Sequence, residues 1–320
     1  MSLEVLDASG LATIQDSGRK GWRRFGVPIS GPMDIFAFCA ANLLAGNPAS
    51  FAVLEIGLGE LTFRALQDCI IAVAGSGYHL SIYLWDFPLW SSFFVRGGWA
   101  IHFNKSHDGM WAYLAIAGGV QGRPVIGSQS TCLRGAFGGL EGRRLQAGDR
   151  ILGGKPSRPL SHLAARTLPV EARPAYRVHP VIDIILGPQT KHFGDESLRT
   201  LLSSEYTVSL TSDRMGYRLA GPPLTQRDKT ELISEGMTFG AMQVPADGQP
   251  IVTMADGPTT GGYPKIGAVA SADLPVLAQC MPDKSRIRFR ATTVAEAQQK
   301  YRTLMNGLEN RILNPEYGEW

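Results

Sequence analysis

Through the first half of the chain the apolar residues come in short runs closed by glycine or polar turn residues: LEVLD, AVLEIG, ELTFR, CIIAVAG, SFFVRGG, WAIHF and WAYLAIAGG. Runs of this length and punctuation predict strand after strand, the pattern of a sandwich or barrel. One segment breaks it. In PMDIFAFCAANLLAG the residues Ile35, Phe38, Cys39 and Leu43 fall near one face at helical spacing, Pro32 suits a first helical position and Gly46 an end. Asn42 lies on the same stripe, where a buried amide needs a structural hydrogen bond.

Between positions 153 and 180 the segment GGKPSRPLSHLAARTLPVEARPAYRVHP has repeated prolines and arginines with little periodicity, which reads as a connection between domains. This places one domain over 1–160 and a second over 175–310. The second half repeats the strand style in VIDIILGP, YTVSLTS, FGAMQVP, PIVTMAD, KIGAVA and SRIRFRA, with short helices near DESLRTLLSS and SADLPVLAQC. Val294, Ala297, Tyr301, Leu304, Met305 and Leu308 recur at helical spacing, predicting a C-terminal helix packed on the second domain, followed by a loose tail. The expected fold is mainly β.

A length of 320 residues agrees with two domains, and 37 glycines with 20 prolines suit many tight turns. The net charge of +3 is modest and its basic residues are scattered, so neither nucleic acid nor a membrane surface is expected as a partner. Cys39, Cys69, Cys132 and Cys280 are far apart without a CxxC pair and read as reduced, structural thiols. With no leader-like N-terminus and no long apolar run, a cytoplasmic location is expected.

Most familiar catalytic signatures are missing. Gly257 and Gly262 have P-loop spacing, but Tyr-Pro follows where Lys-Ser/Thr is required. No GxGxxG, HExxH or GxSxG occurs, and the nearest histidine pair, His102 and His107, reads as surface; no metal site is expected. What remains are clusters of hydroxyls, glycines and arginines. TIQDSGRKGWRRFGVPISGPMD contains Asp16, Arg19, Arg24, Ser30 and Asp34; it fits a loop that shapes a site, or equally a turn at Asp16 and a helix cap at Ser30 or Gly31. GGVQGRPVIGSQSTCLRGAFGGLEGR brings Ser128, Ser130 and Thr131, either oxyanion donors or a plain turn. In SDRMGYRLAG, Arg214 and Arg218 would share one face of a strand as an anion clamp, or form surface salt bridges.

The richest stretch is FGAMQVPADGQPIVTMADGPTTGGYP, with Gln243, Asp256, Thr259, Thr260, Gly261, Gly262 and Tyr263 close together. Paired glycines admit a ligand close to backbone N–H groups, the threonines add donors, and Pro264 holds Tyr263 extended. A ligand-free turn explains the glycines but not the hydroxyls, the tyrosine and Asp256 together.

These clusters resemble the family of KipA, allophanate hydrolase subunit 2 and the C-type subunit of 5-oxoprolinase, grouped with biotin-dependent carboxyltransferases. The resemblance rests on TIQDSGRKGWRRFGVPISGPMDIFAFCAANLLAGN, the AGGV…VIGSQST…GGLEGR…GD series, ILGPQTKHF, SDRMGYRL, SEGMTFGAMQVPADGQPIV and TTGGYPKIGAV…ADLPVLAQ, in this order. Gln129, where the family pattern commonly has arginine, and Gly257-Pro258 depart from it. The resemblance implies two cyclophilin-like β-barrel domains and work with a KipI-like, B-type partner and an A-type partner. In that setting 5-oxoproline is opened to glutamate at the expense of ATP with Mg, shared among the subunits. A related reading is a biotin-dependent carboxyltransferase component acting on urea or a related amide, with carboxybiotin carried by a different protein because no Met-Lys-Met site is present; in either case the substrate is a small-molecule amide or lactam. A third is a regulatory protein that sequesters a KipI-like partner. For chemistry on an amide, Arg19, Arg24, Arg214 and Arg218 are the candidate cations, Ser130, Thr259, Thr260 and Tyr263 the donors, and Asp16 or Asp256 the base or orienting carboxylate. Asp16, Arg19, Arg214, Asp256 and Thr260 are the catalytic candidates; Arg24, Ser30, Ser128, Ser130, Thr131, Arg218, Gln243, Thr259, Gly261, Gly262 and Tyr263 are the binding candidates.

Overall fold

The computed structural model describes residues 2–227 and 232–315. The chain divides into two compact units. The first comprises the chain up to Arg19, Ser30–Pro174 and the stretch from Gly307 onward; the second comprises Lys20–Ile29 and Ala175–Asn306.

In the first unit the alternating runs form two sheets. A seven-stranded sheet has the order Val120–Gln121, Arg150–Gly153, Ser2–Ala8, Leu61–Ala65, Ala100–Lys105, Tyr78–Ile82, Trp85–Phe87; a five-stranded sheet runs Leu11–Gln15, Val53–Gly57, Trp111–Ile116, Cys69–Gly75, Ser91–Val95. Every second residue of both sheets enters one core, including Leu3, Val5, Ile14, Leu54, Ile56, Phe63, Ile71, Val73, Leu80, Phe103 and Leu114. The five-stranded sheet is buried on its other face too, because the helix Ile35–Leu44 lies across it. That explains why CIIAVAG and WAYLAIAGG are apolar without alternation.

The helix begins later than the sequence suggests. Asp34 is its N-cap, accepting a hydrogen bond from the Ala37 N–H at 3.0 Å, whereas Pro32 and Ser30 precede it. Asn42 makes the structural hydrogen bond its position demands, donating to the Phe51 carbonyl at 2.8 Å. At the other end Arg166 donates to the carbonyls of Leu43 and Leu44, a cation on the negative end of the helix dipole.

Arg166 belongs to the segment read as a bare connection, and that segment is largely folded onto the first unit. Leu163 is buried with Ile70 and Ala117, Ser92 bonds the Leu163 carbonyl, and Arg173 lies over the Trp90 ring. The tail is likewise tied as far as it is described: Leu313 pairs with Thr167, and Asn314 accepts from Arg166. Low periodicity here reflects backbone and guanidinium anchoring instead of an apolar stripe.

The second unit is a closed barrel of Val181–Leu186, Lys265–Val269, Ala241–Gln243, Ile251–Thr253, Gly216–Ala220, Glu205–Val208 and Arg286–Ala291, antiparallel throughout except where Val181–Leu186 meets Arg286–Ala291. The C-terminal helix Val294–Met305 opens with a capping box between Thr293 and Glu296. Its expected apolar stripe is thin, since Val294 is exposed and Ala297 is the buried contact. Lys300 supplies the anchor by bonding Asp183 and Asp273, both buried. None of the four cysteines is in a disulfide, and all four are buried. Among the described residues no helix is long and apolar enough to cross a membrane.

A pH prediction arises in the first unit. Arg143 grips Asp149 through two hydrogen bonds of 2.7 and 2.9 Å, which hold the Asp149 carboxyl below the usual carboxylate range. A depressed carboxyl contributes stability that is fully present above its unfolded value near ~4 and is lost as pH falls through the folded value. Asp149→Asn should therefore lower the urea midpoint at pH 7, and the gap to wild type should shrink progressively below about pH 4. A gap that stays constant down to about pH 2 would show the pair to be inert.

Candidate functional site

The candidate residues fall into two groups, one in each unit. In the first unit Asp16 ends the strand Leu11–Gln15 and collects the serine loop. Its Oδ1 accepts from Gly18 N–H (2.9 Å), Ser128 Oγ (2.6 Å) and Ser130 Oγ (2.7 Å), and its Oδ2 from Gln129 N–H (2.6 Å). Both hydroxyls and both carboxylate oxygens are thereby committed, so this carboxylate organises the loop and the serines are not free oxyanion donors. Gln129 is fixed as well, its Oε1 accepting from the Gly122 N–H at 2.6 Å. Thr131 bonds the Ile14 carbonyl.

Arg19 is buried, where the expectation was a cation facing an anion. Its guanidinium donates to the carbonyls of Val125 and Ser130 and lies 4.7 Å over the Phe137 ring. It thus seals the same serine loop from inside. Ser30 differs from all of these. It is buried at φ 57°, in the left-handed region that non-glycine residues avoid, and among the described residues its hydroxyl has no partner.

In the second unit Arg214 and Asp256, distant in sequence, meet in a buried pair with contacts of 2.8 and 3.2 Å. The Asp256 N–H also bonds the Arg214 carbonyl. The expected clamp of Arg214 with Arg218 does not form. Arg214 sits in the turn before the strand Gly216–Ala220 with its fork on Asp256, while Arg218 is exposed on the strand. Arg24 is exposed too, over the ring of Phe25.

The TTGG stretch pairs as Thr260–Gly261 with Glu235–Gly236. Gly257 and Gly261 serve internal packing, whereas a Cβ at Gly262 would meet only ordinary contacts. A Cβ at Gly257 would collide with the Thr253 methyl, and one at Gly261 would lie 2.9 Å from Met237 Sδ and 3.0 Å from Gln243 Oε1. The hydroxyls behave otherwise: among the described residues the side chains of Thr259, Thr260 and Tyr263 make no intramolecular hydrogen bond, and Tyr263 is 49 % exposed. Beneath them Gln243 Oε1 and Thr253 Oγ1 are buried without a partner among the described residues.

Sequence reasoning passed over three residues that build these groups. Arg23 fixes the loop Lys20–Ile29 by donating to the carbonyls of Met237 and Pro258 at 2.5 and 2.9 Å. Glu55 and Tyr113 form a buried polar row with Thr13, set by the register Thr13↔Glu55 and Tyr113↔Glu55 across three strands. Glu55 accepts from Tyr113 OH and Met33 N–H, both at 2.8 Å, and Tyr113 OH accepts from Asp34 N–H at 2.7 Å. Burial raises the Tyr113 hydroxyl well above its ordinary value, and the Glu55 and Asp34 charges add to it. The signal was legible: a glutamate in AVLEIG and a tyrosine in WAYLAIAGG interrupt otherwise apolar strands, which is the argument applied to Asn42.

A mainly β chain of two units, each carrying a braced loop of hydroxyl and glycine residues, is the architecture of a carboxyltransferase domain. The model of the carboxyltransferase domain, subdomain A and B, matches residues 25–291, and the chain belongs to that family. It is 37 % identical to the 5-oxoprolinase C-type subunit of Haemophilus influenzae over 92 % of this chain and 93 % of the relative, and 38 % identical to its Escherichia coli counterpart over 93 % and 96 %. Among solved structures, the Kluyveromyces lactis urea amidolyase superposes with a TM-score of 0.90 at 27 % identity, covering 100 % of this chain and 20 % of that one. This chain thus spans a fifth of the amidolyase.

Proposed function

We propose that this chain is the C-type subunit of an ATP-dependent 5-oxoprolinase, working with a KipI-like, B-type partner and an A-type partner to open the lactam of 5-oxoproline to glutamate. The observation that carries the reading is the identity to the 5-oxoprolinase C-type subunits over nearly the full length of both chains. In the overall reaction two waters are consumed: the lactam C–N bond breaks with one water making up the new carboxylate and amine, and a second is taken up as ATP becomes ADP and phosphate.

The arginines expected for phosphate do not make a nucleotide cradle within either unit. Arg19 and Arg214 are engaged internally, while Arg24 and Arg218 stand on exposed surface. Nucleotide binding therefore belongs, in this proposal, to the assembled subunits. What the chain offers is the set of hydroxyls on Thr259, Thr260 and Tyr263, unpartnered among the described residues, on a segment held by the Arg214–Asp256 pair and by Arg23. Donors fixed in this way can stabilise negative charge developing on an amide oxygen.

The test is a reconstituted assay with 5-oxoproline and MgATP, measuring glutamate and ADP with each subunit omitted in turn. Glutamate should require this chain. The double substitution Thr259→Val/Thr260→Val should slow it roughly 10²-fold or more, while the unfolding midpoint stays at the wild-type value because neither hydroxyl has a partner among the described residues. No glutamate from the complete, folded assembly would reject the reading.

A second reading, carboxyl transfer from carboxybiotin to urea or a related amide, is favoured by the superposition on urea amidolyase along the whole chain. It predicts urea-dependent consumption of carboxybiotin by an assembly that leaves 5-oxoproline intact.

A further inference from the structure

We infer that a cavity in the second unit, beneath Tyr263 and Pro264, is a binding site for the amide group of a small lactam. The inference names a substrate site for the proposed function and rests on that reading only for the identity of the natural ligand.

The cavity has a volume of about 430 Å³ and lies between the segments 223–226, 246–248 and 262–264. Its walls are braced from within. Leu224 N–H donates to the Gly248 carbonyl at 2.9 Å, and the Gln249 amide brackets the Gly221 peptide with contacts of 3.0 and 3.1 Å. Gly248 sits at φ 76°, and a Cβ there would lie 2.9 Å from Leu224 N and from Pro223 Cβ, so the two segments approach as closely as glycine permits. Pro223, Leu224 and Pro264 give the cavity an apolar lining suited to a small ring.

Its polar groups are few and oriented. Gln226 donates from Nε2 to the carbonyls of Val244 and Pro245, at 2.8 and 3.2 Å. The opposite amide orientation would set Oε1 against two carbonyl oxygens, so Oε1 is the end left over, and no donor among the described residues reaches it. Gln226 lines the cavity, and with Nε2 committed Oε1 is the acceptor it has to offer a ligand there. Tyr263, on the same lining, carries a hydroxyl that makes no intramolecular hydrogen bond among the described residues. An acceptor and a donor over an apolar floor match a group that presents N–H and C=O together, which is an amide. The Asp247 rim disfavours a carboxylate there. Arg227 lines a smaller cavity of about 240 Å³ that shares the wall of Pro223, Thr225 and Gln226, but it pairs with Asp195 at 3.7 Å and shares that lining with Glu196, so the recognition rests on the amide alone.

Ligand-observed NMR titration of the full chain tests this with 2-pyrrolidinone and its N-methyl analogue. The N–H lactam should bind saturably and the N-methyl form roughly tenfold more weakly or worse, because methylation leaves the Gln226 oxygen unpaired. Ala246→Trp, at an exposed lining position, should abolish binding with the unfolding midpoint retained. Equal binding of the two lactams, no saturable binding to the wild type, or unchanged binding in the folded tryptophan variant would overturn the assignment. The two levels separate in the reconstituted assay. If glutamate forms and Ala246→Trp keeps the wild-type KM for 5-oxoproline, the cavity assignment fails and the oxoprolinase reading stands. If no glutamate forms yet the cavity selects N–H lactams, the oxoprolinase reading fails and the assignment stands.

Discussion

Arg214→Ala should destabilise the second unit by about 3–5 kcal/mol, because it strands the Asp256 carboxylate in a place that water hardly reaches. The two side chains are 5 % and 9 % exposed, and the pair is bidentate. The cost comes from the charge left behind, so Arg214→Met combined with Asp256→Leu should recover much of the loss. Arg214→Lys separates charge from geometry: the ammonium keeps the sign but cannot reproduce the fork, and an intermediate loss is expected. Urea midpoints followed by circular dichroism measure all three. A loss below about 1 kcal/mol for Arg214→Ala would place this pair with ordinary surface ion pairs. Because the pair holds the turn that leads into Thr259 and Thr260, the destabilised variants should also lose activity in the assembly.

Glu55→Ala should cost the first unit about 3–5 kcal/mol as well, by a different route. Glu55 is 1 % exposed, and its loss leaves the Met33 N–H and the Tyr113 hydroxyl buried without that acceptor, and opens a cavity between the sheet and the start of the helix. The effect should extend to the helix Ile35–Leu44, since Tyr113 in turn accepts from the N–H of its cap residue, Asp34. Tyr113→Phe should be milder, removing one hydrogen bond at Asp34 and one at Glu55 while keeping the ring that packs edge-on to Phe38. Amide hydrogen exchange at residues 33–37 reports the local effect: faster exchange is expected in both variants, and unchanged exchange would uncouple the polar row from the helix start.

The corrections to the sequence reading have a common cause. Asp16, Arg19, Ser128 and Ser130 converge on one loop of the first unit and Arg214 meets Asp256 in the second, yet residue type alone cannot tell a group that faces a ligand from one that faces another part of the chain. Asp16 has its oxygens taken by the serine loop, and Arg214 has its fork taken by Asp256. The same ambiguity affects the glycines of TTGG, where Gly261 is required by Gln243 and Met237. Among the described residues Thr259, Thr260 and Tyr263 keep unpartnered hydroxyls in exposed or half-buried positions, and Ser30 keeps one that is buried.

The sequence by itself determines the mainly β character, through short apolar runs bounded by turn residues, and the early helix, through one change of period. It also determines membership of the carboxyltransferase domain family, through motifs in a fixed order. These are properties of local spacing and of composition. Tertiary structure alone decided that the loop Lys20–Ile29 joins the second unit through Arg23, that the segment after residue 153 folds onto the first, and that Glu55 meets Tyr113 across a strand pair. Each of these depends on which backbone carbonyl or side chain lies opposite a polar group after folding, and strand register and chain crossing set that, over separations at which the linear pattern carries no signal.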